Sequence, residues 1–335
     1  MEPAEIDVVG IGNAIVDIIA HADDAFLARH EMQKGGMTLI DEAKAEALYA
    51  AMGPAVQLSG GSAANTIAGL ASLGARTGYI GKVKEDVLGG VFGHDIRSAG
   101  VRFPTGAAKD GPATARCLIF VTPDAQRTMN TYLGASANLS PADVDENLIR
   151  SAKITYLEGY LYDPPLAQAA FHRAADVAHA AGRKVALSLS DRFCVERYRG
   201  EFRNLAELHI DYLFANESEI EALFETDVKS ALPQLVSAVE IAAITHGAEG
   251  SVIATRSERI SIDAAPVDRV VDTTGAGDLY AAGFLFGLAR GRPLAECGRL
   301  ASLAAAEIIS HYGGRPETPL SDYVRMRSRA PTLRA

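Results

Sequence analysis

The sequence predicts an α/β protein: a mostly parallel sheet covered by helices on both faces, with a small β-sheet lid. Three observations lead there. From about residue 150 onward, apolar strand-like runs alternate with helical stretches, the pattern of βαβ units around a parallel sheet. Two strand-to-helix passages, near 60 and near 275, are rich in glycine. β-rich pieces near 15–40 and 101–135 interrupt the α/β alternation twice. The simplest account of these pieces is one small sheet standing off the main unit. The expected main unit is then 1–14, 52–100 and 136–335, and the lid 15–51 and 101–135.

In order along the chain, IDVVGIGNAIVDIIA reads as a buried strand, a glycine turn and a second β-rich run. The stretch 31–51 is polar around KGGM and then suits a short amphipathic helix. VQLSGGSAANTIAGLASLGARTGYIG reads as a short strand, a Gly-Gly turn, a helix over 62–73 and a strand, with Gly74 placed as the C′ cap. Residues 86–100 suit another helix. ATARCLIFVT and RTMNTYL form a hairpin about PDAQ. Then come the strand ITYLE, a helix ending at Gly182, strands VALSLS and YLFAN, the helix ESEIEALF, and strands IAAIT and SVIAT. Two helices, 276–290 and 294 to about 312, close the fold.

Composition bounds the function. The chain has 335 residues, enough for about two domains or one large domain with an insertion. Lys and Arg number 32 against 42 Asp and Glu, a net charge of −10. Such a surface repels phosphate backbones, so nucleic acid is a poor partner. Cys117, Cys194 and Cys297 are far apart and odd in number, which points to buried thiols in a reducing compartment. MEPAEIDVVG has no basic n-region, and the longest apolar run, 280–289, is about half a membrane span. A soluble cytoplasmic protein is expected.

Three motif matches fail. Gly10 and Gly12 begin a dinucleotide fingerprint, but Ile15 holds the third glycine position. No Walker-type phosphate loop and no zinc-ligand cluster occurs in the sequence. A dinucleotide-dependent oxidoreductase is thereby weakened. The strongest signal is VVDTTGAGD. Its small residues Gly275, Ala276 and Gly277 lead a strand into a long apolar helix whose free N–H groups make an anion hole. Asp278 falls in the first turn. A first-turn acid stabilises a helix by about 0.3–1 kcal/mol, but that does not account for two glycines at a helix start. Phosphoryl transfer accounts for both: fixed N–H donors meet the charge of the γ-phosphate, and a carboxylate takes the acceptor proton. In SGGSAANTIAGLASLG, Gly60 and Gly61 form a tight turn. Asn65 follows as a poor helix former, either in a cap role or as a ligand contact. Asp17 is an acid among β-branched residues and needs a partner, for which a ligand hydroxyl is one candidate.

These two segments resemble, in order and spacing, the signatures of the PfkB (ribokinase-like) carbohydrate kinase family, over nearly the whole chain. The resemblance implies a Rossmann-like domain with a β-sheet lid and transfer of the ATP γ-phosphate to a primary hydroxyl of a sugar or nucleoside, with Mg²⁺. It implies Asp278 as base and Gly275, Ala276 and Gly277 as anion hole. Asn13, Asp17, Gly60, Gly61 and Asn65 fall at acceptor-binding positions. Asn216 and Glu219, in NESE, match the family's magnesium–phosphate motif and also spell a capping box. Thr245, Gly247 and Gly250 match the strand-end loop beside the nucleotide. Asp272, Thr274 and Ser310 match a monovalent-cation site, with K⁺ as activator.

EMQKGGMTLID, PDAQRTMNTYLGASANLS and SLSDRFCVERYR look more like the adenosine-kinase branch than like ribokinase. Met37 and Leu39 would give a base its apolar wall or simply pack the lid. Arg127 would close over phosphate or remain a solvated hairpin residue. There is no tryptophan to stack a base. A nucleoside acceptor, adenosine first, is therefore expected. A free sugar, guanosine or inosine stand as alternatives, and a non-catalytic nucleotide-binding sensor is the distant one. Monomer and homodimer both remain open.

Overall fold

The computed structural model describes residues 4–124 and 126–329. The ends of the expected main unit, 1–3 and 330–335, and Ala125 of the expected hairpin turn lie outside the described residues. The strands are β1 (Ile6–Ile11), β2 (Ile15–His21), β3 (Met37–Leu39), β4 (Ala55–Gly60), β5 (Thr77–Ile80), β6 (Ala115–Val121), β7 (Arg127–Tyr132), β8 (Ala152–Glu158), β9 (Lys184–Ser188), β10 (Tyr212–Asn216), β11 (Ile241–Thr245), β12 (Ser251–Ala254) and β13 (Arg259–Ile262).

Eight strands form the main sheet in the order β13-β12-β11-β10-β9-β8-β1-β5. The six from β11 to β5 run parallel, and β12 and β13 are antiparallel additions at one edge. Strand β1 is buried along its whole length, as a strand covered on both faces must be. One face packs on the helix Pro165–Ala180 through Phe171 and Ala174. The other packs on the helices Ser62–Ser72 and Ala276–Ala289 through Ile67, Leu279 and Phe284.

The second sheet has five strands, ordered β3-β7-β6-β2-β4. One face packs through Leu118 and Phe120 into the cluster that holds Leu27 and Leu48. The other carries Ile15, Cys117 and Met129. Strand β4 was expected in the main unit and stands instead at the outer edge of this sheet, antiparallel to β2. The reason is geometric: β4 feeds straight into the glycine turn at 61, so it must lie beside β2, which leaves the main sheet only three residues after β1. Val56 and Leu58 are exposed there, on an edge strand with one side unpaired. The segment 101–114 carries no strand of the small sheet. Its isolated bridges from Arg102 and Ala108 reach Gly78 and Lys84.

The last expected helix stops at Ile308 instead of about 312, and a further helix, Leu320–Arg329, follows. Leu320 anchors it, fully buried. Among the described residues, no helix is long and apolar enough to cross a membrane.

Candidate active site

A parallel sheet gathers its ligand-facing residues at the carboxyl ends of its strands. Here Asn13 follows β1, and Glu158, Ser188, Asn216 and Thr245 close β8, β9, β10 and β11. All five line one cleft of about 600 Å³ between the two sheets. The cleft therefore runs along the sheet, from the lid side at β1 toward β11.

Two helices start in this cleft, and each start is a glycine. Gly61 (φ 92°) precedes the helix Ser62–Ser72, and Gly275 (φ 79°) precedes Ala276–Ala289. Positive φ is costly for any residue with a Cβ. At Gly61 an added Cβ would also lie 2.3 Å from the Asn13 carbonyl oxygen. Neither start has a side-chain cap, so first-turn N–H groups are left for other partners. At Ala276 the N–H already donates to the Thr273 carbonyl at 3.2 Å, so that amide is less free than the sequence suggested.

The two helices meet at Asp278. Its Oδ1 accepts from Ser62 Oγ at 2.6 Å and its Oδ2 from Asn65 Nδ2 at 3.1 Å. Thr66 Oγ1 donates to the Asp278 carbonyl. Burial pushes the Asp278 carboxyl up to about 6, against the pull of the Ser62 and Asn65 hydrogen bonds. A carboxylate with that affinity for protons is ionised at neutral pH yet a better base than a solvated one.

Asp17 projects from β2 into the cleft. Burial raises its carboxyl to about 6, with Arg127 and Arg315 pulling it down and Asp278 pushing it up. Gly60 makes the room: a Cβ there would lie 2.4 Å from Asp17 Oδ2. Across the lid the pairing register sets Asp17, Cys117, Thr131 and Leu39 in one row and Ile119, Met129 and Met37 in the next. Met37, Leu39, Met129 and Cys117 all line the cleft, so the lid offers it an apolar wall with one acid.

Glu158 is the residue the sequence reading missed. It is buried at the end of β8 and lines the cleft. Its Oε1 accepts from Asn13 Nδ2 at 2.6 Å, and its Oε2 from the Ala63 N–H at 2.7 Å. Burial raises its carboxyl to about 7, although those hydrogen bonds pull it down. Ser62 was missed as well. So were Asp191 and Phe193, which line the cleft beside Ser190, a non-glycine residue held at φ 70°. Such strain outside glycine clusters at functional positions.

Asn216 and Glu219 form the expected capping box. Glu219 N donates to Asn216 Oδ1 at 2.9 Å, and Asn216 N donates to Glu219 Oε2 at 3.0 Å. Both also line the cleft, so the cap does not exclude a second role. Burial raises the Glu219 carboxyl to about 7. Thr245 and Gly247 line the cleft too, whereas Gly250 lies behind the loop, where a Cβ would meet the Ile262 carbonyl oxygen at 2.0 Å. Among the described residues, no three His, Cys, Asp or Glu side chains form a metal cage.

Of the residues expected at a cation site, Asp272 and Ser310 are each engaged by other partners. Asp272 Oδ1 accepts the Thr274 N–H at 3.0 Å, and Oδ2 accepts the Gly313 N–H at 3.2 Å and the guanidinium of Arg127. Ser310 is exposed, and its hydroxyl donates to the Glu307 carbonyl at 2.6 Å, closing the end of its own helix. Arg127 is therefore neither a solvated hairpin residue nor free over the cleft.

Residues 41–320 match the family described as pfkB family carbohydrate kinase. The solved adenosine kinase from Sinorhizobium meliloti is 52% identical, with a TM-score of 0.91 over 97% of this chain and 100% of its own. A probable sugar kinase protein from Rhizobium etli CFN 42 is 47% identical, with a TM-score of 0.92 over 97% of this chain and 99% of its own. Adenosine kinase of Saccharomyces cerevisiae is 27% identical over 328 residues, covering 91% of this chain and 95% of its own length.

Proposed function

The chain belongs to the pfkB carbohydrate kinase family, and from that premise we propose that it transfers the γ-phosphate of ATP to the 5′-hydroxyl of a nucleoside, adenosine first. The coarser activity follows from membership: a phosphotransferase acting on a hydroxyl of a small sugar or nucleoside. The observation that carries the nucleoside reading is the apolar wall of Met37, Leu39, Cys117 and Met129, set beyond Asp17 on the lid face of the cleft. A purine needs such a surface to leave water, and a free sugar does not. Phe193 lines the same cleft and gives a base an aromatic neighbour in the absence of tryptophan. The likeness to the Sinorhizobium meliloti adenosine kinase supports the same choice.

In this reading Asp17, Asn13 and Asn65 bind the ribose hydroxyls, while Gly60 and Gly61 keep the backbone out of their way. Asp278 orients the acceptor hydroxyl and takes its proton as the bond to phosphorus forms. The 275–277 turn holds the phosphoryl oxygens at the positive end of the helix. Thr245 and Gly247 border the nucleotide, with Gly250 shaping their loop from behind. Nε and Nη2 of Arg127 are buried without a protein acceptor, while its Nη1 is held by Asp272. The small sheet, with the strand over 55–60 included, acts as a lid that excludes water. Family membership implies Mg²⁺ as a rule. Glu219, a buried carboxylate, and Asn216 would hold such an ion at the cleft. When bound, it neutralises phosphate charge.

A free-sugar acceptor is favoured by one feature, the Glu158–Asn13 pair, which presents a carboxylate and an amide to a small polyol. ADP release under Mg-ATP with adenosine, guanosine, inosine, ribose, fructose and no acceptor decides between them. Turnover with nucleosides alone supports the proposal. Turnover with free sugars alone moves Met37 and Leu39 back to lid packing.

A further inference from the structure

The sequence resemblance placed a monovalent cation at Asp272, and the structure puts a lid residue there. Arg127 is the first residue of β7 and lies 145 positions away in sequence. Its Nη1 donates to Asp272 Oδ2, and the two side chains are only 10% and 5% exposed. A buried guanidinium–carboxylate pair of this kind excludes a second cation at the same oxygen by charge and by volume. The rest of the Asp272 carboxylate is also turned to donors, the N–H groups of Thr274 and Gly313. One carboxylate thus ties three segments: the 272–275 turn, the 313–314 loop and the lid hairpin. Gly314 packs in turn on both helix starts, since a Cβ on Gly275 would meet Gly314 Cα at 3.0 Å and one on Gly314 would meet Asn65 Nδ2 at 2.4 Å.

We propose that the guanidinium of Arg127 is the built-in cation of this turn. It takes the place of a free monovalent ion at Asp272 and couples lid closure to the geometry of the 275–277 anion hole. The protein then needs no K⁺ to hold the turn. Removing the guanidinium leaves a buried carboxylate whose charge an alkali cation can meet.

The test compares wild type, Arg127→Gln and Arg127→Lys in KCl and in choline chloride, each at roughly 100 mM so that screening is equal. Thermal unfolding is read first, then ADP release. For wild type the expected result is the same melting temperature and the same kcat/KM in both salts. Arg127→Gln is expected to melt lower, to recover at least about 2 °C selectively in KCl, and to gain roughly fivefold or more in kcat/KM from K⁺. Arg127→Lys keeps a charge and is expected to remain insensitive to K⁺. A K⁺-selective gain in wild type overturns the proposal, and so does an Arg127→Gln protein that folds but ignores K⁺. If Arg127→Gln does not fold, the wild-type and Arg127→Lys salt responses decide alone. Thermal unfolding needs no acceptor, so failure here is separable from failure of the nucleoside assignment.

Discussion

Two helices in this molecule begin alike and end up with different occupants. Ser62–Ser72 and Ala276–Ala289 both start from a glycine at positive φ, both lack a side-chain cap, and both open on the same cleft. At the first, a protein carboxylate fills the N-terminus: Glu158 accepts the Ala63 N–H and grips Asn13. At the second, the first turn carries Asp278 and leaves its amide end to the cleft. A helix N-terminus favours an anion in either case. Where the anion is built in, the proposed function puts the neutral acceptor. Where it is left out, the site can receive a phosphoryl group. The bonds from Ser62 and Asn65 to Asp278 set the two starts in fixed relation.

The largest effect should come from Asp278→Asn. It keeps the shape, with its amide oxygen still able to accept from Asn65 and its NH2 turned to donate to the Ser62 hydroxyl, so nucleoside and ATP binding should persist while turnover falls by about 10²–10⁴. Calorimetry beside an ADP-release assay checks this, and near-normal kcat would remove Asp278 as base. Next comes Glu158→Ala, which strips the partner from the Ala63 N–H and the Asn13 amide. Denaturant unfolding should show a loss of about 2–3 kcal/mol, and KM for the acceptor should rise while KM for ATP stays put. Equal rises in both would blur the contrast between the two helix starts.

Gly275→Ala sharpens the contrast from the other side. Positive φ costs about 1–2 kcal/mol with a Cβ, and the new methyl presses on Gly314. We expect kcat to fall with acceptor affinity retained. Gly61→Ala, pressed against the Asn13 carbonyl, should weaken acceptor binding first.

The smallest effect is on pH dependence. The carboxyls of Asp17 and Asp278 are raised to about 6 and those of Glu158 and Glu219 to about 7, all by burial. The folded chain therefore binds more protons than the unfolded chain between about pH 4 and 7. Stability from these groups is present at the acid end of that window and is lost as pH rises through 6 to 7. The melting temperature of the ligand-free protein should be higher near pH 5 than near pH 7.5. Activity should run the opposite way, with kcat/KM falling below about pH 6 as Asp278 gains its proton.

The parallel sheet and the two glycine turns were legible in the sequence, because alternation and turn chemistry are local. Asp278, Asn65 and Asp17 were legible for the same reason: each is a polar residue in a short apolar or glycine-rich setting. Glu158 was not. An acid closing an apolar strand carries no local signal, and its partners Asn13 and Ala63 lie 145 and 95 positions away. The Arg127–Asp272 pair escaped for that reason too. Each residue was singled out, but nothing in their own neighbourhoods says that a lid hairpin folds onto the turn. The strand over 55–60 was assigned to the wrong sheet because two strand-length runs joined by glycine look alike whichever sheet they enter.

The most direct test of the contrast is a crystal structure with adenosine, ADP, Mg²⁺ and aluminium fluoride, a mimic of the transferring phosphoryl group. The fluoride group is expected at the open helix start, about 2.7–3.1 Å from amides of the 275–277 turn, with the adenosine 5′-oxygen against Asp278. A fluoride group lodged at the 61–63 start, or one bound away from Asp278, would contradict it.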